Sequence, residues 1–186
     1  MVPLQSLVVP ILLSAVVVFV VSSIIHMLLP FHRNDFRKLP KEDEVMDALR
    51  AFNVPPGDYA APCAFSPSSL KDPEFLEKRN KGPVFFMTVY PSGPVSMGKS
   101  LILWFLYAVL VSLFAGYIAG RALPPGSPYL SVFRFAGCSA FMGYSLALLQ
   151  NSIWFSRNWG ATLRSVFDGL IYGLLTAGVF GWLWPR

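Results

Sequence analysis

The sequence predicts an all-α integral membrane protein with four transmembrane helices and a small mixed loop domain between the first and second. Three observations carry this. Of the 186 residues, 54% are hydrophobic and only 13% are charged, where a soluble domain carries about a quarter charged residues. The deficit is concentrated in four long blocks, and mean hydropathy is +0.53. Tryptophans sit near block ends at Trp104, Trp154, Trp159, Trp182 and Trp184, as in the aromatic belts of membrane interfaces.

The first block covers residues 7–29. The preceding MVPLQS lacks the basic stretch of a secretory signal, so the block reads as a retained transmembrane helix. Residues 30–99 form a polar loop domain. Within it, KEDEVMDALRAF reads as an amphipathic helix, with acids in its first turn and Arg50 near its end. NVPPGDY reads as a turn. DPEFLEKRNKG has Asp72 as N-cap, Pro73 at the first helical position and Gly82 as the stop. VFFMTVY is rich in β-formers and reads as a strand. Three further spans follow at 100–123, 131–154 and 161–184, joined by the short links LPPGSPY and FSRNWG. Each is long enough to cross about 30 Å of hydrocarbon.

The net charge of +5 then speaks of membrane headgroups and orientation, and nucleic acid is excluded as a partner. Arg33, Arg37, Lys38, Lys41 and Lys99 flank helix ends on the side of the large loop, and Arg157 and Arg164 join them. Arg121, Arg134 and Arg186 belong to the other side. The bias predicts a cytoplasmic loop and both termini outside. Cys63 and Cys138 form neither a disulfide framework nor a CxxC metal motif.

Small residues recur at a spacing of four. Ala108, Ser112, Gly116 and Gly120 do so in the second span, and Gly169, Gly173, Ala177 and Gly181 in the fourth. Ser139, Gly143 and Ala147 form a shorter ladder in the third. Such stripes let helix backbones approach closely, and van der Waals packing is what associates helices in lipid. They predict a tight unit of helices two, three and four. The first helix, with bulky VVVFVV and no glycine, is expected at the periphery or against another protein.

Polar residues gather at the loop-side membrane face. His26 ends the first span, and His32 follows the helix-breaking Pro30. Gln150 and Asn151 end the third span, and Arg164 and Asp168 begin the fourth. Asp168 lies ~10 Å into its helix at 1.5 Å per residue. Acids at such depth face the bundle interior and have a partner, and Arg164, four residues earlier, is the expected one. The alternative is a proton, ion or headgroup site shared with His26. His26 and His32 also suggest a metal ion, with Asp35, Glu42, Asp43 or Glu44 completing an oxygen-and-nitrogen site, although HMLLPFH matches no zinc signature. Nucleophile-elbow, Walker and dinucleotide motifs are absent.

SIIHMLLPFHRNDFRKLPKEDEVMDALR, GPVFFMTVYPSGP, SIW and FDGLIYGLLTAGVFGWLWP together resemble a group of bacterial four-helix membrane proteins with no assigned activity. The resemblance implies a bacterial inner membrane and carries no site. The first expectation for function is a non-enzymatic accessory or assembly subunit that binds another membrane protein or self-associates. A small oligomeric transporter centred on Asp168 is the second. A metal-dependent membrane enzyme using His26 and His32 is the third.

Overall fold

The computed structural model describes residues 1–186 and divides into two compact units. Met1–Arg37 with Ser96–Arg186 is one, and Lys38–Val95 is the other.

The first unit is a helical bundle. A 3-10 turn at Leu4–Leu7 leads into α1 (Val8–Met27). The other long helices here are α4 (Gly98–Ala122), α5 (Tyr129–Ser145) and α7 (Trp159–Trp182). Four helical stretches are long and apolar enough to cross a membrane: Leu4–Met27, Gly98–Ala122, Tyr129–Phe155 and Trp159–Trp182. The third is not continuous. After α5 the chain makes a 3-10 turn at Leu146–Leu148 and resumes as the short α6 (Leu149–Phe155). At the break the Ser145 hydroxyl turns away from its own helix and donates to the Val166 carbonyl of α7.

Helices pack in a ring in which α1 meets α4, α4 meets α5, α5 meets α7 and α7 closes back on α1. The most extensive pairing is α5 with α7. The first helix is therefore a full member of the bundle and not peripheral. Its inner row Leu7, Ile11, Ala15, Val18, Ser22 and Ile25 is buried, because β-branched residues fill the ring interior opposite small residues of α4. Its outer row Val9, Leu12, Val16 and Val20 is exposed.

The ladders of α4 and α7 sit in these seams. A Cβ on Gly120 would stand 2.8 Å from the Val2 carbonyl oxygen, and one on Gly116 would meet the Phe180 ring at 3.1 Å. Ala108 and Ser112 are buried in the same row. In α7, Gly169 faces Ser145, Gly173 faces the Phe141 backbone, and Gly181 faces the Tyr129 ring. Ala177 is buried, and a Cβ on Gly137 would lie 2.8 Å from the Ala177 Cβ. The ladder expected in the third span is different. Ser139 is half-buried and bonds back to Phe135, while Gly143 and Ala147 are exposed. The buried row of α5 is Val132, Ala136, Ala140 and Tyr144. Gly143 still approaches α4, where Val111 lies 3.1 Å from its would-be Cβ and the Tyr107 hydroxyl donates to its carbonyl.

The second unit holds α2 (Glu42–Ala51), α3 (Pro73–Lys81) and a two-stranded antiparallel sheet. Asp72 accepts the Glu74 amide hydrogen bond and caps α3, and Gly82 at φ +62 ends it. In the sheet, β1 (Gly57–Ala61) pairs with β2 (Phe85–Val89), Gly57 facing Val89 and Ala61 facing Phe85. The β1 segment begins inside the stretch read from sequence as a turn, and the Thr88 hydroxyl clamps it by donating to Asp58.

Candidate metal centre

The loop-side end of the bundle brings two distant stretches of chain together, residues 26–35 and 164–172. His26 comes from the last turn of α1. Pro30 starts a new 3-10 turn, Pro30–His32, that folds the chain back on itself. The fold-back lays the His32 ring against His26, with centroids 4.4 Å apart and planes 30° apart. Phe31 packs edge-on against His32 and toward Phe167 of α7, which fixes the turn on the bundle. Asp168 reaches in from α7 with its side chain only 4% exposed.

The three donor groups converge. His32 Nε2 lies 2.8 Å from Asp168 Oδ2, and His26 Nε2 lies 3.7 Å from the same oxygen. One nitrogen from each histidine and one Asp168 oxygen fall within 4.8 Å of one another. Ligands held ~2.0–2.2 Å from a tetrahedral or octahedral ion stand about 3–3.5 Å apart, so these spacings bracket those of a coordination sphere. His32 Nε2 and Asp168 Oδ2 are thus in ion-pair contact. Both His32 Nε2 and Asp168 Oδ1 are buried without a hydrogen-bond partner. Such orphaned groups are costly in a protein interior unless something unseen satisfies them.

The other side of His32 is fully engaged. Its Nδ1 hydrogen-bonds Asp35 Oδ2 at 2.7 Å, and Arg164 donates to Asp35 Oδ1 through Nε at 2.8 Å and through Nη2 at 2.5 Å. Burial pushes the Asp35 carboxyl up, but the hydrogen bonds and charges of His32 and Arg164 outweigh it and hold the group below the ordinary carboxylate range. A carboxylate behind the far nitrogen of a histidine is the arrangement that orients imidazole ligands on metals. Two histidine nitrogens and one carboxylate suit Zn²⁺, Fe²⁺ or Mn²⁺ and leave coordination positions open.

Arg164 thus pairs with Asp35 and not with Asp168, as its four-residue spacing had suggested. Its side chain extends back to the loop following α1, whereas Asp168, one turn deeper, faces the ring interior. Gln150 is exposed and Asn151 half-buried, and no side-chain hydrogen bond ties either to the cluster. Asn151 contributes only its carbonyl, which accepts the Arg157 amide. Of the carboxylates expected to complete a metal site, Asp35 takes the outer position behind His32. Glu42 and Glu44 pair with Lys38 and Lys41 within the loop unit, and Asp43 starts α2 there.

No family model, curated protein or solved structure matches this chain. Tyr172, one turn beyond Asp168 and not singled out in the sequence, sets its hydroxyl 3.5 Å from His26 Nε2. Its ring packs with Tyr144 and Trp104 and floors the site. The four-residue step from Asp168 was the signal that it shares that face.

Proposed function

We propose that the chain is a multi-pass membrane protein that holds one transition-metal ion through His26 Nε2, His32 Nε2 and the Asp168 carboxylate. One observation carries this. Three ligand atoms converge while two of the groups concerned, His32 Nε2 and Asp168 Oδ1, are buried without hydrogen-bond partners and Asp35 secures the far side of His32. Membrane placement is supported by the four long apolar stretches and by exposed apolar rows such as Val9, Leu12, Val16 and Val20, which lipid would cover. The basic residues there favour a cytoplasmic loop side, and the resemblance noted above favours a bacterial inner membrane.

The test is metal analysis of protein purified in mild detergent. Loading with Zn²⁺ followed by dialysis should leave one equivalent per chain. His26→Ala and His32→Ala should each remove it with the helical signal intact. His26 is half-exposed, so its variant is the less disruptive of the two. Full stoichiometry in both variants would refute the reading.

The accessory-subunit reading rests on the absent catalytic motifs, the small-residue ladders and the bulky first helix; packing within the bundle occupies the ladders of α4 and α7, and lipid covers the outward row of α1 equally well. A transport path centred on Asp168 would have to pass the packed rings of Tyr172, Tyr144 and Trp104.

A further inference from the structure

A groove of about 200 Å³ runs along the seam between α5 and α7, from near the end of the bundle opposite the loop side toward its middle. On α5 it is lined by Arg134, Gly137, Cys138 and Phe141, which recur at spacings of three and four and so share one face of the helix. On α7, Gly173 and Leu174 line it. The two glycines give the groove a backbone floor. A Cβ on Gly173 would lie 3.2 Å from the Phe141 backbone nitrogen and 3.3 Å from the Gly137 carbonyl oxygen. Cys138 and Leu174 are exposed along the slot, so it opens onto the apolar outside of the bundle.

The groove has one charged lining residue, Arg134, which makes no ion pair and no side-chain hydrogen bond. It is the sixth residue of α5, ~8 Å from the start of the helix at 1.5 Å per residue. It lies inside the apolar stretch Tyr129–Phe155. A cation at that depth in hydrocarbon is costly unless it meets an anion or reaches back to the headgroups. The bundle supplies no such anion. Its only acidic side chains are Asp35 and Asp168, and both are held at the loop-side site by the histidines and Arg164. Arg121, by contrast, lies over the Tyr117 ring and donates to Met1 Sδ. The anion for Arg134 therefore comes from outside the bundle, and the anion that a bilayer offers at this level is lipid phosphate. A guanidinium fork matches a phosphate with two parallel hydrogen bonds, and the apolar slot beside it matches a hydrocarbon chain.

We propose that the α5–α7 groove binds one anionic phospholipid, its phosphate on Arg134 and one acyl chain laid past Gly137 toward Phe141. The inference rests on the membrane placement of the bundle and is independent of the metal. Phosphatidylcholine brings the same chain with a phosphate already balanced by its own choline, and it binds more weakly. Glycerol phosphate lacks the chain that the slot holds.

The probe is phosphatidylglycerol carrying a diazirine in one acyl chain, photolysed with the full chain in phosphatidylcholine nanodiscs. Adducts are mapped by peptide mass spectrometry. They should concentrate in residues 133–141 and 170–174, and unlabelled phosphatidylglycerol should compete them away while glycerol phosphate does not. A phosphatidylcholine probe with the same diazirine chain should label these residues more weakly. Arg134→Gln should reduce the adducts about fivefold, the effect of one basic residue at an anionic membrane surface. Cys138→Phe fills the slot from an exposed position, keeps Arg134 and should reduce them as strongly. Circular dichroism of both variants checks that the helices are intact. Adducts spread evenly over outward rows such as Val9, Leu12, Val16 and Val20 would overturn the inference and leave the membrane placement standing. So would adducts unaltered by both variants, or equal labelling by the phosphatidylcholine probe. A chain that stays soluble without detergent and does not enter nanodiscs would remove the membrane placement and this site with it.

Discussion

Asp35→Asn removes one negative charge and leaves the size of the side chain almost unchanged. The carboxylate it replaces is nearly buried and accepts from His32 at 2.7 Å, so solvent screens the contact little. Loss of a carboxylate behind a metal-ligating histidine weakens metal binding about 10–100-fold, or about 1.4–2.8 kcal/mol. The short, charge-assisted contact and its second partner, Arg164, place this site in the upper half of that range. Arg164 keeps 26% of its side chain in contact with solvent, so losing Asp35 does not strand a fully buried cation. The bundle should therefore survive the change. The assay is competition for Zn²⁺ against a chromophoric chelator, in detergent near neutral pH, with far-ultraviolet circular dichroism as the folding control. An unchanged Kd in Asp35→Asn, alongside loss of metal in His32→Ala, would refute the claim that Asp35 orients the ligand.

Three other outcomes are expected. Gly137→Ala should push α5 from α7, because the new methyl would sit 2.8 Å from the Ala177 Cβ; about 1–3 kcal/mol of destabilisation is expected in thermal melts, against less than about 0.5 kcal/mol for Ser139→Ala. Acid should erase the contribution of Asp35: its folded value is lowered, so its stabilisation is present above the ordinary carboxylate value of ~3.9 and is lost as pH falls through the folded value. The difference in melting temperature between wild type and Asp35→Asn, measured without metal, should accordingly shrink toward zero on acidification, and a constant difference would contradict it. Cys63 is exposed in the loop unit, so in a Cys138→Ala background an impermeant maleimide should label it only after the membrane is opened; labelling of intact cells would reverse the orientation.

Much of the fold was legible because long apolar helices announce themselves by length. The ends of α3 were legible too, since Asp72, Pro73 and Gly82 each act on the backbone locally. What sequence reading missed depends on partners far along the chain. The β1 strand is short and begins inside a Pro-Gly turn, and only its pairing with β2 makes it a strand. The third span breaks at Leu146–Leu148, where Ser145 bonds to α7, and no glycine or proline marks the place. The small-residue row of α5 was misplaced by one position, and one position is 100° around a helix. The buried row includes Ala136 and Ala140, so the residue types were right and the face was not. In the site, His26, His32 and Asp168 were all picked out, but the partner of Arg164 was not. The four-residue rule describes an isolated helix, and here it competed with Asp35 from 129 residues away.

The ring closes by pairing the first long helix with the last. Two of the three donor groups precede α4 in the chain and the third lies in α7. A ribosome that has delivered α1, α4 and α5 has made His26 and His32 but not yet Asp168. Until α7 inserts and docks, the nascent chain has no complete ligand set to offer. On the proposed metal reading, uptake reports that α7 has docked, and a chain truncated before Asp168 would remain metal-free even with most of its bundle in place.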